Sequence, residues 1–353
     1  MTPAARGLGP RAPDPTASTP ASTNPRTLGG LPASQTEAGS ERLWTSRFLL
    51  VLLLLCLYRL AATIWPGMDL FPDEAYYHGW STALDLGYYS KPPMVALLIR
   101  AATELFGEHE AAIRSAALLC YALASVFVYL TARLLYDPRI GFLCGITFLT
   151  LPLVGFFSRF ITTDAPLMLF WTAALYAYVR ADRHDRLVDW SLAGLAAGLG
   201  LQSKYTMIVF AVCVFAHLLS SASRRRRLLK PGFNLAWLIA LLVFLPNVWW
   251  NARHDFVSFS HTAEISQLDR ELLHPDKLLE FTASQLLVFG PLCFPLLVVL
   301  TTQIGRWWRD DRLRLLMLFS LPFLALIMLQ SLLSRAFYNW AAPTYAAASI
   351  AIT

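Results

Sequence analysis

Charged side chains are scarce in this chain. Only 15% of its 353 residues are Asp, Glu, Lys or Arg, against 56% apolar, a ratio far outside that of an ordinary soluble domain. The runs 48–64, 140–157 and 281–302 carry one charge between them, Arg59. A soluble helix must keep a polar face toward water, so such runs exclude a soluble fold. Their lengths approach the roughly 20 mostly apolar residues that a bilayer crossing needs. Cysteine is sparse too. Cys56, Cys120, Cys144, Cys213 and Cys293 lie in or beside apolar runs without metal-ligand spacing and read as small buried hydrophobes. No internal repeat is visible. Large apolar residues are nearly missing from Met1 to Glu41, which is rich in Pro, Ala, Ser, Thr and Gly. That composition cannot offset the entropy of ordering and predicts a disordered tail over 1–44. A secretory signal would place a short apolar run near the N-terminus. Here the first run follows Arg47 and leads into Trp65 and Pro66, so it reads as an uncleaved span opening a membrane domain over 45–353.

Apolar runs suggest about ten crossings, near 47–65, 111–136, 138–157, 165–181, 188–202, 205–220, 232–250, 281–302, 315–333 and from 341 onward. The charges between them sort by sign. Most of the 29 basic residues fall in the tail and in alternate loops, around Arg133 and Arg139, Arg180 to Arg186, Arg224 to Lys230, and Arg306 to Arg314. The intervening loops, about 66–110 and 251–280, carry most of the acids, among them Asp73, Glu74, Glu108, Asp269 and Glu271. The excess of Lys and Arg on the cytoplasmic side of membrane proteins puts the N-terminus in the cytoplasm and the acidic loops outside. The Arg224–Arg227 run is then a topological anchor rather than a nucleic-acid contact. The fifth and sixth spans are short and read as a hairpin with Ser203 and Lys204 at its outer tip.

Two features of the first outer loop carry polar chemistry. Asp73 and Glu74 follow Pro72 at the start of an amphipathic, aromatic-rich helix, where acids suit the helix N-terminus. After Lys91-Pro92-Pro93 a second amphipathic helix runs to about Phe106, and both helices suit the membrane interface. Capping alone would also explain the two acids. Arg159, Asp164, Lys204, Arg335, Tyr338 and Asn339 fall at the same outer level. Ionisable groups at membrane depth are costly unless they pair or serve a site. Such a set suits handling of an anionic lipid headgroup, with a purely structural Arg159–Asp164 ion pair as the alternative.

Several segments now form a series: Asp73-Glu74-Ala75-Tyr76-Tyr77, Gly87-Tyr88-Tyr89-Ser90-Lys91-Pro92-Pro93, Thr163-Asp164-Ala165-Pro166-Leu167 and Leu201-Gln202-Ser203-Lys204-Tyr205. Pro246-Asn247-Val248-Trp249-Trp250-Asn251 and Asn339-Trp340-Ala341-Ala342-Pro343 continue it. In this order the chain resembles the polyprenyl-phosphate-sugar glycosyltransferases related to protein O-mannosyltransferases and the lipid A aminoarabinose transferase. The resemblance implies an all-α polytopic membrane protein of the C-type glycosyltransferase fold, in a bacterial inner membrane, with its site facing the periplasm. It implies a polyprenyl-phosphate sugar as donor and an outer-leaflet glycolipid, lipid A or lipopolysaccharide component, or a protein, as acceptor, with no nucleic acid involved. Asp73 becomes the base or acceptor-orienting group, with Glu74 in support. Lys91 matches a lysine near the donor phosphate, and Asp164 a second important acid. Arg159, Lys204 and Tyr338 are assigned to the donor site from position. One base without a covalent nucleophile implies inversion at the anomeric carbon. A divalent cation is left open.

A secondary transporter or lipid flippase is the alternative class. Transporters place polar groups at the bilayer midplane and show repeats, whereas the ionisable groups here sit at span ends. Family members commonly carry further spans and an outer C-terminal domain. This chain ends at Ile350-Ala351-Ile352-Thr353, inside an apolar run, and reads as a short or truncated form without that domain.

Overall fold

The computed structural model describes residues 33–65, 67–266 and 273–353, and every regular element among them is helical. The compact unit is Ser40–Thr353, and Met1–Gly39 is a unit of its own. The expected disordered tail lies outside the described residues as far as position 32. Its remainder is helical, because α1 runs from Ala33 to Ile64. Ala, Gln, Glu and Arg between 33 and 42 are good helix formers, so the helix of the first span continues back through them. Asp269 and Glu271 also lie outside the described residues.

Among the described residues four helices are long and apolar enough to cross a membrane: Gly39–Ile64, Glu110–Leu135, Pro231–Arg253 and Asp311–Leu333. The chain is a multi-span membrane protein. A fifth candidate departs from the expected straight span over 281–302. It is a pair, Pro275–Val288 and Cys293–Thr302, bent by 118°. Gly290, at φ +105°, supplies a backbone conformation that L residues rarely adopt. The expected span 138–157 is likewise broken, before Pro152, into Pro138–Thr150 and Pro152–Phe157.

The bundle is built around α4 (Glu110–Leu135), which packs on α5 (Pro138–Thr150) and α7 (Asp164–His184). The short α6 (Pro152–Phe157) leads from α5 toward α7. Trp171, Leu175 and Tyr178 bury the middle of α7. Its other flank meets α8 (Leu187–Leu201), which packs on α11 (Pro231–Arg253) beyond the one-turn α10 (Ala222–Arg225). A tight turn at 202–204, the expected hairpin tip, joins α8 to the short α9 (Ile208–Leu219), and the two helices diverge from it rather than packing side by side. The α8–α11 approach needs glycine. A Cβ on Gly194 would stand 2.2 Å from the Ala236 carbonyl oxygen. Close backbone packing over small residues is how helices associate inside a membrane. Arg59, the one charge in the α1 run, is buried and donates to the Leu149 carbonyl at the end of α5.

Two helices lie between α1 and α4 as expected, α2 (Pro72–Thr82) and α3 (Met94–Phe106). The segment between α11 and the Pro275 helix holds an unexpected one, α12 (Val257–Ser266). The chain continues through α13 (Pro275–Val288), α14 (Cys293–Thr302), α15 (Ile304–Arg309), α16 (Asp311–Leu318) and α17 (Leu321–Leu333) to α18 (Thr344–Ile352), whose first seven residues are all buried.

α7 measures the distance between two polar clusters. Near its C-terminus Asp182 meets Arg227 at 3.1 Å and Arg224 at 3.5 Å, and Arg224 reaches Asp311 at 3.3 Å. Basic loops distant in sequence are thus joined at one end. At its N-terminus stands Asp164, about 27 Å away at the α-helical rise of 1.5 Å per residue.

Candidate active site

Asp73 and Glu74 are neighbours on the first turn of α2 and face opposite ways. Glu74 is 1% exposed, and its carboxylate is bound by the Arg114 guanidinium of α4 at 2.8 Å. It also accepts the Phe71 amide at 3.1 Å and the Ile161 amide at 3.0 Å. Arg114 is fully used as well, donating to the carbonyls of Met68 (2.9 Å) and Asp69 (2.7 Å). This buried cluster ties the start of α2 to α4 and to the 158–163 connection. Asp73, one residue earlier, lines a cavity of about 730 Å³, and among the described residues it has no hydrogen bond or ion pair.

Across the cavity from α2 runs the Asp85–Pro93 turn that carries Ser90 and Lys91. Tyr88 stacks flat on Trp80 of α2, with centroids 4.6 Å apart. Its hydroxyl donates to the Trp80 carbonyl, and its amide reaches the Lys91 carbonyl at 3.1 Å. From the other side Asn247 of α11 donates to the Leu86 carbonyl, and Ser258 of α12 to that of Tyr88. At Gly87 a Cβ would stand 2.5 Å from the Trp250 ring, so no larger residue fits without displacing α11. The Met94 amide, just after the two prolines, donates to the Gln202 carbonyl at the hairpin tip. Turn and tip are therefore one assembly.

The rest of the cavity is built on Asp164, the first residue of α7. Lys204 at the hairpin tip pairs with one carboxylate oxygen at 2.6 Å, and the Asn339 amide donates to the other at 2.6 Å. Tyr338 and Trp340 stand beside Asn339 on the cavity wall, with Tyr77 and His261 elsewhere on it. Leu326 and Ile327 of α17, Phe157 and Phe337 give the same cavity an apolar side.

The electrostatics follow from this mixture. Burial, with Lys204 close by, pushes the Lys91 ammonium down to about 8, although Asp164 and Asp73 pull the other way. The Tyr77 phenol is pushed up by burial and then by Asp73 and Asp164, so it stays a hydrogen-bond donor. The His261 imidazole is pushed down by burial and by Lys91. Lys91 has no hydrogen bond or ion pair from its ammonium among the described residues. Among those residues, too, no group of three His, Cys, Asp or Glu stands together as a metal site.

With the geometry in hand, the comparisons with known proteins agree among themselves. Residues 90–250 match the family described as dolichyl-phosphate-mannose-protein mannosyltransferase. Over 304 residues the chain is 36% identical to the lipid A galacturonosyltransferase RgtD of Rhizobium johnstonii, covering 86% of this chain and 64% of that protein. It is 33% identical over 202 residues to the undecaprenyl phosphate-alpha-4-amino-4-deoxy-L-arabinose arabinosyl transferase of Pseudomonas paraeruginosa, covering 52% of this chain and 36% of that one. ArnT of Cupriavidus metallidurans superposes with a TM-score of 0.70 at 17% identity, over 89% of this chain and 59% of its own. Its structure bound to undecaprenyl phosphate gives 0.68 at 16% identity, over 88% and 59%. Over these stretches the chain is similar to glycosyltransferases that include protein mannosyltransferases and lipid A sugar transferases. Its fold is the C-type glycosyltransferase fold.

Five of the seven singled-out residues meet around one cavity: Asp73, Lys91, Asp164, Lys204 and Tyr338. The other two stand elsewhere. Glu74 is turned into the Arg114 cluster. Arg159 donates to the Ala62 carbonyl at the end of α1, at 2.6 Å, and is not on the cavity wall. The Arg159–Asp164 ion pair weighed as an alternative is replaced by Lys204–Asp164, because the hairpin tip brings a cation closer than the preceding loop does. Arg114 and His261 went unnoticed in the sequence. Arg114 follows Glu110 in an amphipathic start of α4, and an arginine four residues inside a span is a signal of burial with a partner. For His261 the only signal was a histidine in an outer loop.

Proposed function

We propose that this protein moves a sugar from a polyprenyl-phosphate donor to a glycolipid acceptor, with lipid A or another lipopolysaccharide component favoured. One observation carries the reading: Asp73 and Lys91, a carboxylate and an ammonium without a hydrogen bond or ion pair among the described residues, share a cavity lined by both polar and apolar groups. Such a cavity suits a substrate that is a charged headgroup on a lipid chain. The relatives named as lipid A galacturonosyltransferase and as undecaprenyl-phosphate aminoarabinose transferase support the donor and acceptor classes.

The chemistry is a single displacement. The acceptor hydroxyl gives a hydrogen bond to Asp73. As its oxygen bonds to the anomeric carbon, the proton passes to the Asp73 carboxylate and the bond from that carbon to the phosphate oxygen breaks. The bonding pair leaves with the phosphate, whose added charge Lys91 stabilises. Lys204, held by Asp164, which Asn339 fixes in turn, lines the same cavity as Lys91 and reinforces the positive field there. Tyr338 contributes a hydroxyl to the donor side. Glu74 acts through Arg114 by holding the first turn of α2 and hence Asp73. One displacement inverts the anomeric configuration. The cavity opens to the periplasm of the bacterial inner membrane, the chain crosses about ten times, and its N-terminus is cytoplasmic. The charge sorting supports this orientation.

The deciding experiment uses the purified chain with a polyprenyl-phosphate sugar and lipid A. Wild type is expected to yield glycosylated lipid A and free polyprenyl phosphate. Asp73→Asn keeps size and loses the base, and its rate is expected to fall roughly a hundredfold or more, with the unfolding temperature unchanged. Wild-type turnover by the folded variant removes Asp73 from the chemistry.

A further inference from the structure

The Arg335–Pro343 segment forms no helix beyond isolated turns, yet it supplies Phe337, Tyr338, Asn339 and Trp340 to the cavity wall. An irregular segment at membrane depth is tolerated only where its backbone groups find partners inside the protein. One such partner is buried behind it. Gln285, three residues from the end of α13, is 1% exposed and sits beside Phe281, Val288 and Phe289 in an apolar environment. Its amide nitrogen donates to the Tyr338 carbonyl at 3.3 Å, to the Phe281 carbonyl at 3.0 Å and to Ser284 Oγ at 3.0 Å. Its amide oxygen accepts the Tyr345 hydroxyl of α18 at 2.5 Å. Tyr345 in turn stacks on Phe289, with centroids 4.2 Å apart. A side chain of this shape without polar atoms would bury more cheaply here. The amide is there for its hydrogen bonds.

We propose that Gln285 is a positioning residue for the donor side of the cavity. It ties the Tyr338 backbone to α13, while its own amide oxygen is bonded by Tyr345 of α18. In doing so it sets the Tyr338 ring and the Asn339 amide that holds Asp164 against Lys204. It does not touch substrate. The role rests on the donor-site reading above for its kinetic consequence but not for its structural one.

Removing one partner of a buried hydrogen bond strands the other, whereas removing both can be nearly neutral. Three variants use this asymmetry: Gln285→Leu, Tyr345→Phe and the double variant. Each is read by unfolding temperature, by hydrogen exchange of the 335–343 amides, and by the donor KM with a polyprenyl-phosphate sugar. Gln285→Leu strands the Tyr345 hydroxyl and frees the Tyr338 carbonyl. Its unfolding temperature is expected to fall, its segment to exchange faster, and its donor KM to rise roughly three- to tenfold. Tyr345→Phe should lower the unfolding temperature and leave donor KM and segment exchange near wild type. In the double variant the unfolding temperature should recover, while exchange stays fast and donor KM stays raised. Recovery of exchange and KM together with stability would reduce Gln285 to a core residue and overturn the proposal. So would a Gln285→Leu variant with unchanged exchange. Wild-type protein with no transfer would sink the donor-site reading alone, since exchange still decides the role of Gln285.

Discussion

Lys91 owes its chemistry to where the chain puts it. Burial and Lys204 bring its ammonium from 10.5 to about 8, so it is charged at neutral pH and loses that charge within reach of experiment. If it meets the donor phosphate, kcat/KM for the donor is level below pH 8 and falls about tenfold per pH unit above, because kcat/KM reports the free enzyme. Lys91→Arg, charged throughout, should abolish that limb while keeping part of the activity. Lys91→Met should be low at every pH. A limb that persists in Lys91→Arg assigns it to another group. Stability runs the other way. The folded state disfavours the charged form, so that penalty is present below pH 8 and fades as pH rises toward the unfolded value near 10.5. A loss of activity above pH 8 without a loss of folding therefore separates the two. Lys91 was legible in the sequence because two prolines follow it inside a motif. Glu74 was legible only as an acid, since its partner Arg114 is 40 residues away, and nothing local in the chain tells which of two adjacent carboxylates turns inward.

The elements around the site hold one another through a few buried polar groups. α2 is a short helix with three buried residues, Glu74, Tyr77 and Ser81, and the Glu74–Arg114 pair ties it to α4. Breaking a buried pair by removing one partner leaves the other charge stranded and costs about 3–5 kcal/mol. Arg114→Met should therefore lower thermal stability by that order and reduce activity, whereas Arg159→Met, whose guanidinium meets only a carbonyl in the described residues, should cost much less. Equal losses in the two variants would deny the Glu74–Arg114 pair its anchoring role. Helices α2 and α3 and the turn at 202–204 could be read from local pattern, through proline, acids at the helix start and amphipathic spacing. The bend after α13 and the helix α12 could not. The bend depends on Gly290 and on what packs against it. α12 has no clear apolar stripe and is held by single contacts such as Ser258 to the Tyr88 carbonyl.

At the scale of the whole molecule, the sorting of charge along the sequence reappears as two polar clusters at the two ends of α7. The orientation proposed from that sorting can be checked directly. Single cysteines placed at Asp73 and at Glu264, in a chain whose native cysteines are replaced, should react with a membrane-impermeant thiol reagent on intact spheroplasts. One at Arg225 should react only after permeabilisation. The reverse pattern would invert both the topology and the side on which the cavity opens. The cavity itself has a further bearing on how the protein is measured. Leu326 and Ile327 of α17 line it, within a helix apolar enough to cross the bilayer, so a donor that is a polyprenyl-phosphate sugar, as proposed above, would arrive by lateral diffusion and not as a free solute. Its encounter rate then depends on how many donor molecules share a given patch of membrane. Diluting the donor with inert phospholipid or detergent at constant bulk concentration should slow turnover in proportion to its falling mole fraction. Adding water to the same vesicles should leave the rate per enzyme unchanged.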